Sequence, residues 1–203
     1  RGGGGPGGSR GAAAMSGALQ LHDPPAQLRE YLFLGSEDAA ADADCLEGLG
    51  ITHVLNVADD VECFHIHRFE YLHLPIRDGG EDDAIFAAFD LATSFVERVA
   101  SAGGKVLVHC FAGVNRSATV AMAVLMNLEG WTLREAYEHT KLQRPIVCPF
   151  IGNRKKIAMW EQQKRLACSW PGWLSGEPLE APLPPGCTKV LARPTDLSTS
   201  TWP

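Results

Sequence analysis

The stretch that decides the fold is Val106-Leu-Val-His-Cys-Phe-Ala-Gly-Val-Asn-Arg-Ser117, followed by the mainly apolar run Ala118 to Met126. Val106 to Val108 has the composition of a buried strand. The residues from Ser117 onward, rich in Ala, Val, Met and Leu, predict a helix that ends near Gly130. A strand, a short loop and a helix in this order bring backbone N–H groups and a helix N-terminus to one point, which favours anion binding.

The same alternation of strands and helices continues on both sides of this stretch. Further strands are predicted at Tyr31–Leu34, Thr52–Val57 and Tyr71–Leu74, the last of them ended by Pro75. Helical spacing or capping signals predict helices at 39–49, at 84–100 after Asp82 or Asp83, from Thr132 with a capping box, and at 151–165. The pattern predicts an α/β fold, in which a single domain has a mostly parallel central sheet flanked by helices.

Composition predicts where this domain begins and ends. Residues 1–20 are mostly Gly and Ala and cannot bury enough apolar surface to offset their ordering entropy, so we expect a disordered segment. Residues 21–167 form the predicted catalytic domain. Residues 168–203 are rich in proline, so we expect a tail, in which Trp170 and Trp173 could dock on the domain.

Composition also argues against several classes of partner. No apolar run approaches the ~18 residues of a membrane-spanning helix. The formal net charge of -6 argues weakly against a nucleic-acid partner. The six cysteines form no CxxC pair and no zinc-ligand spacing. We therefore expect free thiols in a reducing compartment, either cytoplasm or nucleus, and neither a metal nor another cofactor.

The pattern of a Cys, five residues and an Arg occurs three times, so the pattern alone identifies no site. The copies begin at Cys110, Cys148 and Cys187. In the second copy the Cys precedes Pro149, which has no N–H to donate, and the third copy contains no Gly and lies in the predicted tail. Because only the first copy joins a strand to a helix, the candidate phosphate-binding residues are Phe111, Ala112, Gly113, Val114, Asn115 and Arg116.

The residue types in the Cys110–Arg116 loop suit cleavage of a phosphate ester through a covalent intermediate. Cys110 is the candidate nucleophile, because a helix N-terminus and a nearby cation favour a thiolate. Arg116 offers a planar fork that binds two phosphate oxygens at once. Ser117 could donate to the leaving thiolate, cap the helix, or do both. We expect His109 to orient the loop rather than to transfer protons.

The leaving oxygen of the ester needs a general acid. The candidates are Asp78, Asp82 and Asp83. Asp82 and Asp83 would serve as helix caps, whereas Asp78 follows a strand in a loop with two glycines, so Asp78 is the preferred acid. Because the acid must be protonated while the thiol is ionised, the rate should rise and then fall with pH.

These residues resemble the signature of a known family. The segment His109 to Thr119 and the following helix resemble dual-specificity protein phosphatases, and the resemblance covers roughly residues 28–165. Its other segments are Tyr31–Gly35, Ile51–Val57, Leu74–Asp78, Ala136-Tyr137 and Arg144-Pro145. The resemblance implies a protein tyrosine phosphatase-like fold and metal-independent hydrolysis of phosphotyrosine and phosphoserine/threonine in phosphoprotein substrates through a phosphocysteine. It also supports the roles given to Cys110, Arg116, Ser117 and Asp78.

The chain departs from the family pattern at two residues. Phe150 stands where members often carry the Asn that braces the signature loop, and Asn115 stands where Ser is more usual. We also expect no N-terminal rhodanese-like domain of the kind found in the kinase-directed subgroup. The resemblance is therefore to an atypical small member of the cysteine-dependent protein tyrosine phosphatase superfamily.

Two alternative functions stay open. A pseudophosphatase would bind phosphoproteins without hydrolysing them, but such proteins usually lack a catalytic residue, and this chain keeps Cys110, Arg116 and Asp78. A phosphatase could instead act on a phosphoinositide or an RNA 5′-phosphate. The loop has no Lys to bind the additional phosphates of a phosphoinositide. Its Asn115-Arg116 pair resembles RNA triphosphatase relatives, but the following Ser117-Ala118 and the net negative charge do not support an RNA substrate.

Overall fold

The computed structural model describes residues 24–177. Within that range a sheet has the strand order β1-β2-β5-β3-β4. Its strands are β1 Ala26–Arg29, β2 Leu32–Gly35, β3 His53–Ala58, β4 Glu70–Ile76 and β5 Val106–His109. The pairs β2/β5, β5/β3 and β3/β4 are parallel, and β1/β2 is antiparallel. The predicted α/β fold with a mostly parallel sheet is confirmed.

Helices cover both faces of this sheet. They are α1 Glu37–Ala41, α2 Ala43–Gly48, α3 Ala84–Ser101, α4 Arg116–Leu128, α5 Leu133–Gln143, α6 Ile151–Arg165 and α7 Pro171–Ser175. Successive side chains of a strand point to opposite faces, so Val106 and Val108 join the large core with α3 to α6, and Leu107 joins the smaller core with α1 and α2. Because β5 is buried on both faces, its carboxyl end, where the Cys110–Arg116 loop begins, is held firmly in place.

Two predicted elements differ from the structure. The helix predicted at 39–49 is two helices, because Asp42 leaves helical geometry and its side chain caps α2 by accepting from the Cys45 N–H at 2.9 Å. The strand predicted to end before Pro75 continues to Ile76. Since β4 lies at the edge of the sheet, a proline there does not remove a hydrogen bond that a central strand would need.

The packed unit extends beyond the predicted boundary at residue 167. Trp173 in α7 is fully buried, and its ring stacks on Trp170 with 4.7 Å between centroids. The buried carboxylate of Glu161 accepts hydrogen bonds from the Ser169 and Leu133 backbone N–H groups, both at 2.7 Å. Trp170 and Trp173 thus dock on the domain, as the sequence analysis allowed, and residues 168–177 of the predicted tail belong to the packed unit. The predicted disordered residues 1–20 and the tail beyond 177 lie outside the described residues.

Candidate active site

Cys110 lies at the carboxyl end of the central strand, directly before the loop that leads into α4. Its side chain is buried, with 2% of the residue exposed. Its Sγ lies 3.2 Å from the Ser117 Oγ in the first turn of α4. Ligands of parallel sheets bind at the carboxyl ends of the strands. The thiol predicted as nucleophile therefore occupies the expected edge of the sheet, with the Ser117 hydroxyl in contact.

Arg116 is the first residue of α4 and is almost completely buried, at 1% exposure. Its Nη1 donates to the Asp60 Oδ1 at 2.6 Å and to the Ile76 carbonyl at 3.0 Å. Among the described residues its Nε has no hydrogen-bond partner, and the nearest ion-pair atom is the Asp78 Oδ1 at 3.6 Å. The Asp60 carboxylate thus accepts from both the Nη1 and, at 3.4 Å, the Nη2 of Arg116, whereas no described residue accepts from the buried Nε.

Asp59 and Asp60 are site residues that the sequence analysis missed. The Asp59 Oδ1 lies 3.4 Å from the Arg116 Nη1, and the Arg116 guanidinium holds the pKa of the Asp60 carboxyl below its ordinary value. Both residues follow β3 immediately, and β3 pairs with β5. Because neighbouring parallel strands end at the same edge, their position after a predicted strand was the signal that could have found them.

The carbonyl groups of the Cys110–Arg116 loop accept hydrogen bonds from outside the loop. The Phe111 carbonyl accepts from the Glu37 N–H at 2.9 Å, and the Val114 carbonyl from the Cys148 N–H at 3.0 Å. The Arg144 guanidinium donates to the Gly113 carbonyl at 2.9 Å and to the Ala112 carbonyl at 3.2 Å. Because the C=O and N–H of one peptide unit point in opposite directions, these bonds are expected to turn the loop N–H groups toward its interior.

The sequence analysis expected Phe150 to change how the Cys110–Arg116 loop is braced. In the structure the side chain of Asn115 braces this loop. Its Oδ1 accepts from the Phe150 backbone N–H at 2.8 Å and from the Asn153 Nδ2 at 2.9 Å. The Phe150 side chain itself is 44% exposed. The loop is therefore braced by a buried pair of amides, Asn115 and Asn153, and by a backbone group of residue 150. Asn153 and Arg144 were not recognised from the sequence as site residues.

The three acid candidates have different surroundings. Asp78 contacts the Cys110–Arg116 loop, since its Oδ1 accepts from the Asn115 Nδ2 at 2.8 Å. Asp82 accepts from the Arg77 N–H at 2.9 Å and the Ala84 N–H at 3.1 Å, and these bonds hold its pKa below the ordinary value. Asp83 pairs with Lys156 at 3.2 Å. Of these three, Asp78 alone contacts the loop, so the geometry favours it over the other two.

His109 ends β5 and is completely buried. Burial, with a smaller contribution from nearby His73, lowers the pKa of His109 to about 4. The ring is therefore neutral near pH 7, where it has no proton to give as an imidazolium. Among the described residues neither ring nitrogen has a hydrogen-bond partner, so no such bond supports the predicted orienting role, which stays a prediction.

The other two Cys-x5-Arg copies form no comparable site within the described residues. Cys148 is exposed and follows no strand, and Arg154, in α6, donates to the Glu177 carbonyl at 2.6 Å. The copy at Cys187 lies outside the described residues. Cysteines 45, 63, 110, 148 and 168 are free. Between residues 24 and 177 there is no cluster of His, Cys, Asp and Glu side chains that could hold a metal ion, and no helix there is long and apolar enough to cross a membrane.

Comparison with known proteins gives consistent matches. The family model "Dual specificity phosphatase, catalytic domain" matches residues 32–163. Dual specificity protein phosphatase 4 of Homo sapiens is 37% identical over 145 residues, covering 70% of this chain and 36% of that protein. Dual specificity protein phosphatase 1 of Arabidopsis thaliana is 34% identical over 143 residues, covering 70% of this chain and 72% of that protein. The chain spans about two fifths of the length of the human relatives it matches.

Comparison with solved structures also finds phosphatase-like proteins. Human DUSP28 superposes with a TM-score of 0.67 at 29% sequence identity, covering 70% of this chain and 95% of that chain. The human tyrosine phosphatase-like serine/threonine/tyrosine-interacting protein superposes with a TM-score of 0.65 at 28% identity, covering 71% of this chain and 99% of that chain. The residues matched by the family model, 32–163, include strands β2 to β5 and the Cys110–Arg116 loop.

Proposed function

The chain belongs to the dual specificity phosphatase catalytic-domain family, and from this membership we propose that it hydrolyses phosphotyrosine and phosphoserine/threonine in proteins through a phosphocysteine intermediate. One observation carries the proposal. The buried Cys110 thiol and the buried Arg116 guanidinium lie at the two ends of one loop, whose carbonyl oxygens from Phe111 to Val114 all accept bonds from outside. Such a loop offers its N–H groups to a phosphate.

The first chemical step is transfer of the phosphoryl group to the enzyme. The Cys110 sulfur attacks phosphorus, an S–P bond forms, and the P–O bond to the leaving group breaks. The leaving oxygen keeps the electron pair and takes a proton from Asp78. Loop N–H groups and the Arg116 Nε hold the equatorial oxygens, where charge is concentrated during phosphoryl transfer. The assignment of the acid is supported by position, since the Asp78 Oδ1 lies 3.6 Å from the Arg116 Nε and so beside the proposed phosphate site.

The second step releases phosphate. A water attacks phosphorus and gives its proton to the Asp78 carboxylate, and the S–P bond breaks with its electron pair returning to sulfur. The Ser117 hydroxyl, 3.2 Å from the Cys110 Sγ, donates to the thiolate as it leaves. The products are the dephosphorylated residue and inorganic phosphate, so the cycle requires no metal, cofactor or oxidant.

Phosphoproteins are the proposed partners, and the cytoplasm or nucleus is the proposed compartment. The free thiols at residues 45, 63, 110, 148 and 168 favour a reducing compartment. A phosphoprotein-binding role without catalysis is the second candidate. It is supported by the similarity to the human interacting protein named above, but the arrangement of Cys110, Arg116 and Asp78 favours turnover.

A substrate panel with a nucleophile variant tests the proposed function. Phosphate release is measured in the presence of a metal chelator from phosphotyrosine and phosphothreonine peptides, a phosphoinositide and a 5′-triphosphorylated RNA. The wild type should hydrolyse both peptides, and Cys110→Ser should hydrolyse neither while still binding them. Cys45→Ser is the control and should match the wild type, because Cys45 lies in α2 outside the site. Undiminished turnover by Cys110→Ser would refute the mechanism, and turnover of RNA or lipid alone would refute the substrate class.

A further inference from the structure

Asn115 occupies the N-cap position of α4, but its side chain does not cap that helix. An N-cap Asn ordinarily accepts a hydrogen bond from an N–H of the first helical turn. Asn115 makes no such bond. The residue is instead buried, at 5% exposure, and its side chain bonds to two other segments, the Asp78 loop and the start of α6. The Asn115 side chain therefore does not cap α4 as its position predicts, and contacts outside the helix determine the orientation of its amide.

The neighbours of Asn115 fix the orientation of its amide. A backbone N–H can only donate, so the N–H of Phe150 at 2.8 Å requires an acceptor and faces the Asn115 Oδ1. The Asn153 Nδ2 donates to the same oxygen at 2.9 Å. The Asn115 Nδ2 is thereby turned toward Asp78, and it donates to the Asp78 Oδ1 at 2.8 Å. The two bonds that the Asn115 Oδ1 accepts therefore direct the Asn115 Nδ2 at the proposed acid, Asp78.

The loop that carries Asp78 is also held against the start of α6. The Gly80 carbonyl accepts from the Lys156 Nζ at 2.9 Å, and a Cβ at Gly152 would collide with the Gly80 backbone. The Asp78 side chain nevertheless stays 48% exposed. A half-exposed carboxyl group on a loop samples several rotamers unless a buried partner selects one of them. Asn115 is such a partner.

We propose that Asn115 is a positioning residue that holds the Asp78 carboxyl group in the orientation from which it protonates the leaving oxygen. This inference rests on the proposed function. Because Asn115 donates to Oδ1, a proton on the neutral carboxyl group resides on Oδ2, the oxygen that is left to face the leaving group. A serine at position 115 carries one short hydroxyl, which could not accept from the Phe150 N–H and reach Asp78 at the same time.

The test is the dependence of kcat/KM on the leaving group in a series of aryl phosphates, from phenyl phosphate to dinitrophenyl phosphate. A general acid contributes about 100-fold or more where the leaving oxygen needs a proton and little where it does not. Asp78→Ala should therefore lose about 100-fold on phenyl phosphate and stay within about twofold of the wild type on dinitrophenyl phosphate. Asn115→Ala and Asn115→Ser also lose the bond to the Phe150 N–H that braces the loop, so a loss shared by all the esters is expected of them. Beyond that shared loss, both should lose about 10-fold more on phenyl phosphate than on dinitrophenyl phosphate.

Asn127→Ala is the matched control. Asn127 lies in the same helix and makes one side-chain bond, to the Thr93 Oγ1 at 2.9 Å, but contacts no site residue in the described part of the chain. Its profile should match that of the wild type. The ratio of rates on the poorest and best leaving groups does not depend on the folded fraction, so a poorly folding Asn115 variant still gives a valid result.

The double variant Asp78→Ala/Asn115→Ala separates positioning from other effects. If Asn115 acts on the leaving group through Asp78, the double variant has the same ratio of rates on phenyl and dinitrophenyl phosphate as Asp78→Ala alone. An additional change of about 10-fold in that ratio, or an equal loss by Asn115→Ala on every ester, would overturn the inference. Cys110→Ser is included in the same series. If it remains active, the proposed function fails and this inference fails with it; if it is inactive and the Asn115 profile is flat, only the inference fails.

Discussion

Gly113 and Gly130 form a natural pair for testing how tightly the Cys110–Arg116 loop is packed. Both have left-handed backbone, with φ of 66° and 70°. An alanine in that conformation costs about 1 kcal/mol at either position. At Gly130 an added Cβ meets nothing within 4 Å, whereas at Gly113 it would lie 2.5 Å from the Gly35 carbonyl oxygen and 2.9 Å from the Arg144 Nη2. The pair therefore separates backbone strain from overpacking.

The cost of overpacking can be worked from these distances. Ordinary van der Waals contact begins at 3.4 Å, so the loop would have to move by nearly 1 Å from a carbonyl in the buried strand β2. Overpacking a buried site costs about 1–3 kcal/mol. Gly113→Ala should therefore lower the free energy of unfolding by about 2–4 kcal/mol, and Gly130→Ala by about 1 kcal/mol.

Urea denaturation followed by tryptophan fluorescence measures both free energies of unfolding. Phosphate release at a temperature where both variants are folded measures the effect on the site. A shift of this size would break the Arg144 bond to the Gly113 carbonyl, so kcat/KM of Gly113→Ala should fall at least about tenfold. Gly130→Ala should retain wild-type kcat/KM. Equal losses of unfolding free energy in the two variants would refute the packing argument.

Two further predictions concern His109 and Trp173. The folded pKa of His109, about 4, is lower than its ordinary value of 6.5, so the unfolded chain binds more protons and stability falls as pH drops from above 6.5 toward 4. Between pH 8 and pH 5, His109 should lower the free energy of unfolding by about 2 kcal/mol. His109→Asn should lack this contribution when the free energy of unfolding in urea is measured against pH. The same pH dependence in the wild type and the variant would contradict the prediction. Trp173→Ala should lower the free energy of unfolding by about 3–5 kcal/mol, because the ring is fully buried, whereas a loss below about 1 kcal/mol would mean that α7 is not part of the folded unit.

Regular local patterns predicted much of the fold. The capping box is present at Thr132 and Glu135, and the last predicted long helix has the predicted bounds, Ile151–Arg165. The strand before Cys110 and the helix after it also lie where the sequence analysis placed them. These features depend on hydrogen bonds and apolar spacing within a few residues, which a sequence displays directly.

The elements that were missed depend on distant partners. β1 was not predicted, because its four residues have little pattern of their own and it forms by pairing with β2. Likewise α7 is five residues long, and its burial depends on stacking with Trp170 and on the Tyr137 ring. Short segments of this kind gain most of their stability from tertiary packing.

The sequence by itself determined that Cys110 follows a buried strand and that a helix begins directly after Arg116, because both follow from neighbours in the chain. Only the tertiary structure decided how these residues are supported. Asn115 reaches Asp78 across 37 positions, and Arg144 reaches Gly113 across 31. Which side chains meet over such separations depends on the order of strands in the sheet and on the packing of helices against it, and the hydrogen-bonding capacity of each residue then selects among the contacts that the fold allows.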